Sequence, residues 1–428
     1  MAKRLYMLVA ALVMALSMWI WVQHIAIPHQ QSESAALGIP RGNLSDLYPR
    51  WLGARELLLH NRDPYRADIT GEAQTGYYGR PIDPSRPNDP KDQQAFAYPM
   101  YVVFILAPTV HLPFAVVQKI FLWLLVIATA GSILLWIEAL GWRVSLTVKL
   151  SWIILVLGSF PAMQGLKLQQ LTLLVAFVLA ACMRAVARRH FVSAGILLAL
   201  ATIKPQLALL PAVWLCLWVI GSWRERQRLF WSLAASMSIL FAASEWLLPG
   251  WLGEFRAASA AYYQYTGGGR SVLDVLLTPM AGRIVAVFVV GACLVLVWRL
   301  RQAGVDTASF RWSLSVVMTT TLVVIPMFAP YNQVLLIPAI MQLVCSIRLL
   351  ALKNRLSRFL VAATSVAVMW PWLSAILLAA ALVLLPAPVV QHAWTVPLYT
   401  SLAIPILVYA LLLVGRNMIV DQARTKLI

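Results

Sequence analysis

Apolar runs of about 20 residues recur from one end of this chain to the other, and nothing constrains its fold more. A helix needs roughly 20 apolar residues to cross the hydrocarbon core of a bilayer, where only helices and closed barrels satisfy their backbone groups. A barrel would show short alternating segments instead. Of the 428 residues 61% are hydrophobic and 12% charged, and the mean hydropathy is +0.78. These values exclude an ordinary soluble domain. The expected class is an all-α polytopic membrane protein, a single domain over residues 1–428. The net charge of +18 does not point to nucleic acid. Lys and Arg gather in short connections between apolar runs, the pattern of cytoplasmic loops. Cys182, Cys216, Cys293 and Cys345 all lie in apolar runs. They read as buried small hydrophobes, with neither a disulfide framework nor metal-ligand spacing.

One long stretch, Pro28 to Ala95, is polar. It holds nine of the 16 acidic residues: Glu33, Asp46, Glu56, Asp63, Asp68, Glu72, Asp83, Asp89 and Asp92. Lys3 and Arg4 precede an apolar run from Leu5 to Ile27, too long for a signal peptide core. That run reads as a retained first helix with its N-terminus in the cytoplasm, which makes residues 28–96 an outer loop. Within the loop, Asp46 to His60 fits an amphipathic helix on the membrane surface. Leu47, Trp51, Ala54, Leu57 and Leu58 recur at helical spacing, and Pro49 falls in the permissive first turn. Gly71 to Lys91 is rich in Gly, Pro and Asp and is expected to be irregular.

The run Ala97 to Phe114 is too short for a comfortable span and reads as re-entrant or interfacial. If it crossed, Arg184, Arg188 and Arg189 would lie outside, and so would Arg224, Arg226 and Arg228. Further helices are expected over 115–138, 148–162, 170–184, 191–203, 206–221, 229–247, 280–298, 312–328, 333–350, 359–385 and 396–415. A second outer loop covers 248–278. The count is about twelve transmembrane helices, with both termini cytoplasmic.

Ionisable side chains at membrane depth are costly and therefore candidate functional residues. Asp46 heads the loop helix, where it serves either as a reactive carboxylate or as a helix cap. Lys204 stands before Pro205 where two short helices meet, and is either a buried cation or a snorkelling one. Lys167, Gln169 and Gln170 open another helix. Glu245 ends one, Arg270 follows Gly267, Gly268 and Gly269, and Arg283 starts the next. Glu245 and Arg283 could also form a structural pair. Tyr331, Asn332 and Gln333 occupy a further turn. By this map these groups converge on one cavity at the outer leaflet, suited to a substrate with a greasy tail and an anionic head.

The segments SDLYPRWLGARELLLHNRDPY, FAYPMYVVFILAPTVHLPF, LQQLTLLVAFVLA, SAGILLALATIKPQLALLPA and APYNQVLLIP, in that order, resemble the polyprenol-phosphate-sugar-dependent glycosyltransferases of family 87. The resemblance covers roughly residues 44 to 340 with gaps. It implies a C-type glycosyltransferase fold with a long first periplasmic loop carrying juxtamembrane helices, in a bacterial inner membrane. Its active site would be periplasmic or extracellular. Asp46 matches the family's loop aspartate, implying a general base, and Lys204 its Lys-Pro turn. Gln170 and Thr172 stand where the family tends to have Gln and Asn, so the second departs. Tyr331 lies in a turn that often carries His or an aromatic residue. The implied reaction moves a sugar, with mannose expected, from a polyprenyl-phosphate carrier to a lipid-linked or cell-envelope glycan. Asp46 would be the base. Lys204, Arg270 and Arg283 would hold the donor phosphate, and Tyr98, Gln170, Tyr331, Asn332, Gln333 and Glu245 would line the substrate. No metal and no cofactor are implied beyond the donor itself. Partners are the donor, the acceptor and membrane lipids. A secondary transporter, which usually shows repeated halves, and a non-catalytic flippase are the alternatives.

Overall fold

The computed structural model describes residues 2–39, 45–83, 85–265, 269–326 and 328–425. In chain order the helices are α1 (Ala2–Ile20), α2 (Ile27–Ala36), α3 (Tyr48–His60), α4 (Ala67–Tyr78), α5 (Val102–Leu106), α6 (Phe114–Ala139), α7 (Leu146–Leu157), α8 (Phe160–Lys167), α9 (Thr172–Ala187), α10 (Phe191–Ala201) and α11 (Pro205–Ile220). They continue as α12 (Trp223–Leu247), α13 (Trp251–Tyr265), α14 (Val272–Leu276), α15 (Pro279–Arg299), α16 (Ala308–Val324), α17 (Ile337–Lys353), α18 (Arg355–Leu384), α19 (Ala387–Gln391), α20 (Ala403–Val414) and α21 (Arg416–Thr425). A π-helical turn, Trp21–Ala26, joins α1 to α2, and a 3-10 segment, Pro330–Leu336, leads into α17. The described residues contain no strand.

Among the described residues seven helices are long and apolar enough to cross a membrane, or eight if the bent pair α7–α8 counts as one span. Four apolar helices, α9, α10, α11 and α16, are shorter. By length and composition seven or eight helices qualify as spans, and the four shorter ones fall where the remaining four of the roughly twelve expected helices lie. At 11 residues α10 rises only about 17 Å, well short of the roughly 30 Å hydrocarbon core. The outward faces are those of a membrane protein. Val287 and Phe288 on α15 are each 72% exposed, and Trp123 and Ile127 on α6 are exposed as well. In water such faces would be liabilities.

Several expected boundaries move. The first helical rod runs on through α2 to Ala36, so the polar segment that begins at Pro28 starts as helix rather than loop. The helix expected over 148–162 is broken: α7 and α8 meet at 58°. Ser159 caps α8 through the Ala162 N–H, and Trp372 donates to the Gly158 carbonyl that the break releases, at 2.7 Å. A Cβ on Gly158 would lie 2.3 Å from that of Ala15, so glycine permits α1 to cross there. The stretch 71–91, expected to be irregular, is helical as far as Tyr78, and the expected loop 248–278 contains α13 and α14. Cys345 is exposed rather than buried.

The helix α3 begins at Tyr48 and does not lie on a surface. Pro49, Trp51, Leu52, Gly53, Ala54, Glu56 and Leu57 are all buried, packed against α4 and α5. Charge fastens this layer together. Arg62 pairs with Glu56, Asp68 and Glu72 at 2.8, 3.0 and 2.6 Å, tying the end of α3 to α4. Downstream, α5 has five residues and passes into a 3-10 turn, Ala107–Thr109, so this run is far too short to cross.

Candidate active site

Two helix breaks and one loop set the site. Lys204 precedes Pro205, and the ring of a proline keeps its predecessor out of the helical region. Lys204 accordingly sits at φ −120° and ψ 82°, between α10 and α11. It is 4% exposed, which removes the snorkelling alternative. Between α8 and α9 the chain turns through Gln169 at φ 51°, and this left-handed residue sends Gln170 and Thr172 toward the lysine. The Asp46 N–H donates to the Leu168 carbonyl of the same turn at 3.1 Å.

The result is a chain of hydrogen bonds. Lys204 Nζ donates to Gln170 Oε1 at 2.7 Å and to Thr172 Oγ1 at 2.8 Å. Gln170 Nε2 donates to Asp46 Oδ2, and Tyr77 donates to Asp46 Oδ1 at 3.0 Å. Thr172 donates to Asn332 Oδ1 at 3.0 Å. The residue that departs from the family's Asn thus still binds the ammonium. Asp46 is not a helix cap: Leu47 is the N-cap residue of α3, and it makes no capping bond through its side chain.

A cavity of about 370 Å³ opens on this chain. Asp46, Tyr98, Gln170, Lys204, Tyr331 and Asn332 line it, so six of the residues singled out in the sequence come together. Gln333 does not join them. It donates to the Ser401 carbonyl and faces a separate apolar cavity of about 440 Å³. Glu245 is exposed and accepts from the Gly250 N–H at 2.8 Å. The Arg270 side chain is exposed too, while its carbonyl accepts from Phe328. Arg283 is exposed and donates to the Tyr263 hydroxyl at 3.0 Å. No ion pair joins Glu245 to Arg283 among the described residues. Gly267 and Gly268 lie outside the described residues.

The second cation of the cavity is one the sequence reading passed over. Arg50, one turn beyond Asp46, donates to the Asp46 carbonyl at 2.6 Å, and its guanidinium stands 4.8 Å over the Tyr98 ring. Lys204 lies 5.8 Å from the same ring and 5.2 Å from that of Tyr331. These rings help hold two like charges in one chamber. The Arg50 Nε–H is buried without a partner among the described residues. Asp92 and α13 complete the wall, the helix through Phe255, Ser259, Tyr262 and Tyr263. The spacing of those four was the available signal, since positions i, i+4, i+7 and i+8 share a helical face. Burial pushes the Asp92 carboxyl above its ordinary range.

The sequence profile of glycosyltransferase family 87 matches residues 96–326, just over half of the chain. This protein is a member of glycosyltransferase family 87. It is therefore an enzyme, a transferase that moves a sugar from a donor to an acceptor, and neither a transporter nor a passive flippase. No curated protein and no solved structure matches it. The matched stretch of this glycosyltransferase holds Tyr98, Gln170, Thr172, Lys204 and α13. Asp46, Arg50 and Asp92 precede it, and Tyr331 follows it. The cavity is thus assembled from the matched segment and from chain on either side.

Proposed function

We propose that this glycosyltransferase takes its sugar, with mannose the leading candidate, from a polyprenyl-phosphate carrier and adds it to a lipid-linked or cell-envelope glycan. We place the reaction on the outer side of a bacterial inner membrane, within a C-type fold. One observation carries the reading: a carboxylate and two cations share the same cavity, with Gln170 bonded to both Asp46 and Lys204.

The roles follow from chemistry. The acceptor hydroxyl oxygen attacks the anomeric carbon while the bond from that carbon to the phosphate oxygen breaks. The hydroxyl proton passes to Asp46, which as a carboxylate keeps lone pairs beyond the two that Tyr77 and Gln170 engage. The departing phosphate gains negative charge, and Lys204 and Arg50 neutralise it with donors fixed before the reaction. In this scheme Arg50 takes the part expected of Arg270 and Arg283. Tyr98, Tyr331 and Tyr262 form the walls for the sugar and limit water, which would otherwise hydrolyse the donor.

A transfer assay with the purified protein, a panel of polyprenyl-phosphate sugars and extracted envelope lipids tests this. Transfer from a polyprenyl-phosphate sugar is expected, and its dependence on Lys204 and Arg50 should appear as weaker donor binding. Transfer from a nucleotide sugar alone, with none from any polyprenyl-phosphate sugar, would refute it.

A further inference from the structure

Asp92 is a second carboxylate on the wall of the cavity, and the reaction above leaves it without a part. It differs from Asp46 in what it leaves open. Both oxygens of Asp46 accept hydrogen bonds, Oδ1 from Tyr77 and Oδ2 from Gln170. On Asp92 only Oδ1 does, from the Gln94 N–H at 3.0 Å. Oδ2 accepts from nothing among the described residues, and it is not sealed in the interior.

This carboxylate is held still. Gln94, whose N–H it receives, has a left-handed backbone at φ 55°, and the Tyr78 hydroxyl donates to the Asp92 carbonyl at 2.7 Å. Burial works against its charge and Arg50 works for it. A fixed, ionised acceptor with an open oxygen suits O–H donors, because hydrogen bonds to a carboxylate are roughly twice as strong as neutral ones.

Charge also orders the cavity. The charged groups that act on Asp92 are Arg50 and Asp46, and Lys204 is not among them. Arg50 and Asp46 act on Lys204 as well, so they stand between the two. A phosphate is drawn to the cations and repelled by Asp92, which sets it between Lys204 and Arg50. The sugar that it carries then runs past Asp46 toward Asp92. Tyr262, on which Asp92 also acts, closes that end.

We propose that Asp92 determines which sugar the donor carries: its open oxygen accepts a hydroxyl of the transferred ring, so a fully hydroxylated hexose is preferred to a deoxy-sugar. A site built to hydrogen-bond a hydroxyl rejects the analogue that lacks it, because its own polar group is then left unpaired. Asp92 makes and breaks no covalent bond. This rests on the polyprenyl-phosphate donor proposed above.

The test measures binding to the full-length protein in lipid nanodiscs. The probes are farnesyl phosphate, its mannosyl, glucosyl and galactosyl derivatives, and the monodeoxy analogues of whichever hexose binds best. In the wild type at least one deoxy analogue should bind roughly tenfold to a hundredfold more weakly than its parent, the worth of one charge-assisted hydrogen bond. Asp92→Ala should weaken the parent by a similar factor and bring that analogue within about threefold of it. Farnesyl phosphate, which has no sugar, should bind both proteins alike. Asp92→Asn can keep the turn with its amide oxygen and should cost the parent about five- to tenfold, which keeps the test alive if the alanine variant folds poorly. Three results would overturn the proposal: a wild type indifferent to every deoxy analogue, parent binding unchanged in both variants, or farnesyl phosphate weakened as much as its hexosyl derivative, the mark of a structural role. Failure of the donor reading shows in the wild type itself, which would then bind neither farnesyl phosphate nor any of its sugars, and the proposal falls with it.

Discussion

Asparagine at position 46 separates the chemistry of the carboxylate from its place in the fold. Among the described residues the Asp46 side chain accepts two hydrogen bonds, from Tyr77 and Gln170, and caps no helix. In Asp46→Asn the amide oxygen can keep the bond from Gln170, and the amide nitrogen can donate to the Tyr77 oxygen. The Tyr77 hydroxyl proton, now given to Asp46, then has to turn to another acceptor. What is lost is charge: two charge-assisted bonds, about 1.5–3 kcal/mol each, become neutral ones of about 0.5–1.5 kcal/mol. Asp46 is only half-buried, so solvent already screens part of that difference. A stability loss of about 1–2 kcal/mol is the expected upper range. The effect on turnover is of another order. An amide cannot take the acceptor proton, and loss of a positioned base costs at least about a hundredfold, or roughly 2.7 kcal/mol in the barrier. Donor binding should survive, because Lys204 and Arg50 are untouched. Thermal unfolding, donor binding and sugar transfer, all on the purified variant, measure the three quantities. A folded, donor-binding Asn variant with transfer within about threefold of wild type would remove Asp46 as the base and turn attention to Asp92, which shares its cavity.

Lys204→Ala removes the donor to both Gln170 and Thr172; affinity for the polyprenyl-phosphate sugar should fall roughly tenfold to a hundredfold, the worth of a charge-assisted contact of about 1.5–3 kcal/mol, and unchanged affinity would leave the lysine a structural role. Gly195→Ala would set a Cβ 2.4 Å from the Leu229 carbonyl and 2.7 Å from the Leu233 nitrogen, both backbone, so α10 and α12 must separate. A loss of about 1–3 kcal/mol or more is expected in thermal unfolding, and a neutral result would show that the crossing is looser than drawn. Arg80 holds the Asp89 carboxyl at about 2, below its ordinary 3.8, through contacts of 2.6 and 2.8 Å. A lowered folded value means that the clasp contributes fully above about 4 and is lost as the pH falls toward about 2. Hydrogen exchange across residues 79–92 should therefore quicken over that window, and Asp89→Asn should flatten the dependence.

Sequence alone determined the class of this protein, because bilayer thickness acts on each helix by itself: α6, α15 and α18 stand close to where their apolar runs begin and end. It also placed Asp46, Lys204 and Gln170 in one cavity, since a polar group in such a setting has few reasons to be there. The break at Lys204 was legible too, since proline restrains its predecessor whatever surrounds it. Other features were beyond its reach. The bend between α7 and α8 depends on Trp372, more than two hundred residues away, satisfying a freed carbonyl. The burial of α3 depends on α4, whose sequence reads as loop until Arg62 ties the two together. Arg50 stood unremarked in the expected amphipathic helix, whereas Glu245, Arg270 and Arg283 were expected at the site. Only the packed chain turns the first into the cavity and leaves the other three outside, because which face of a helix meets the site is fixed by what packs against its other faces, and that is written in no local stretch of sequence.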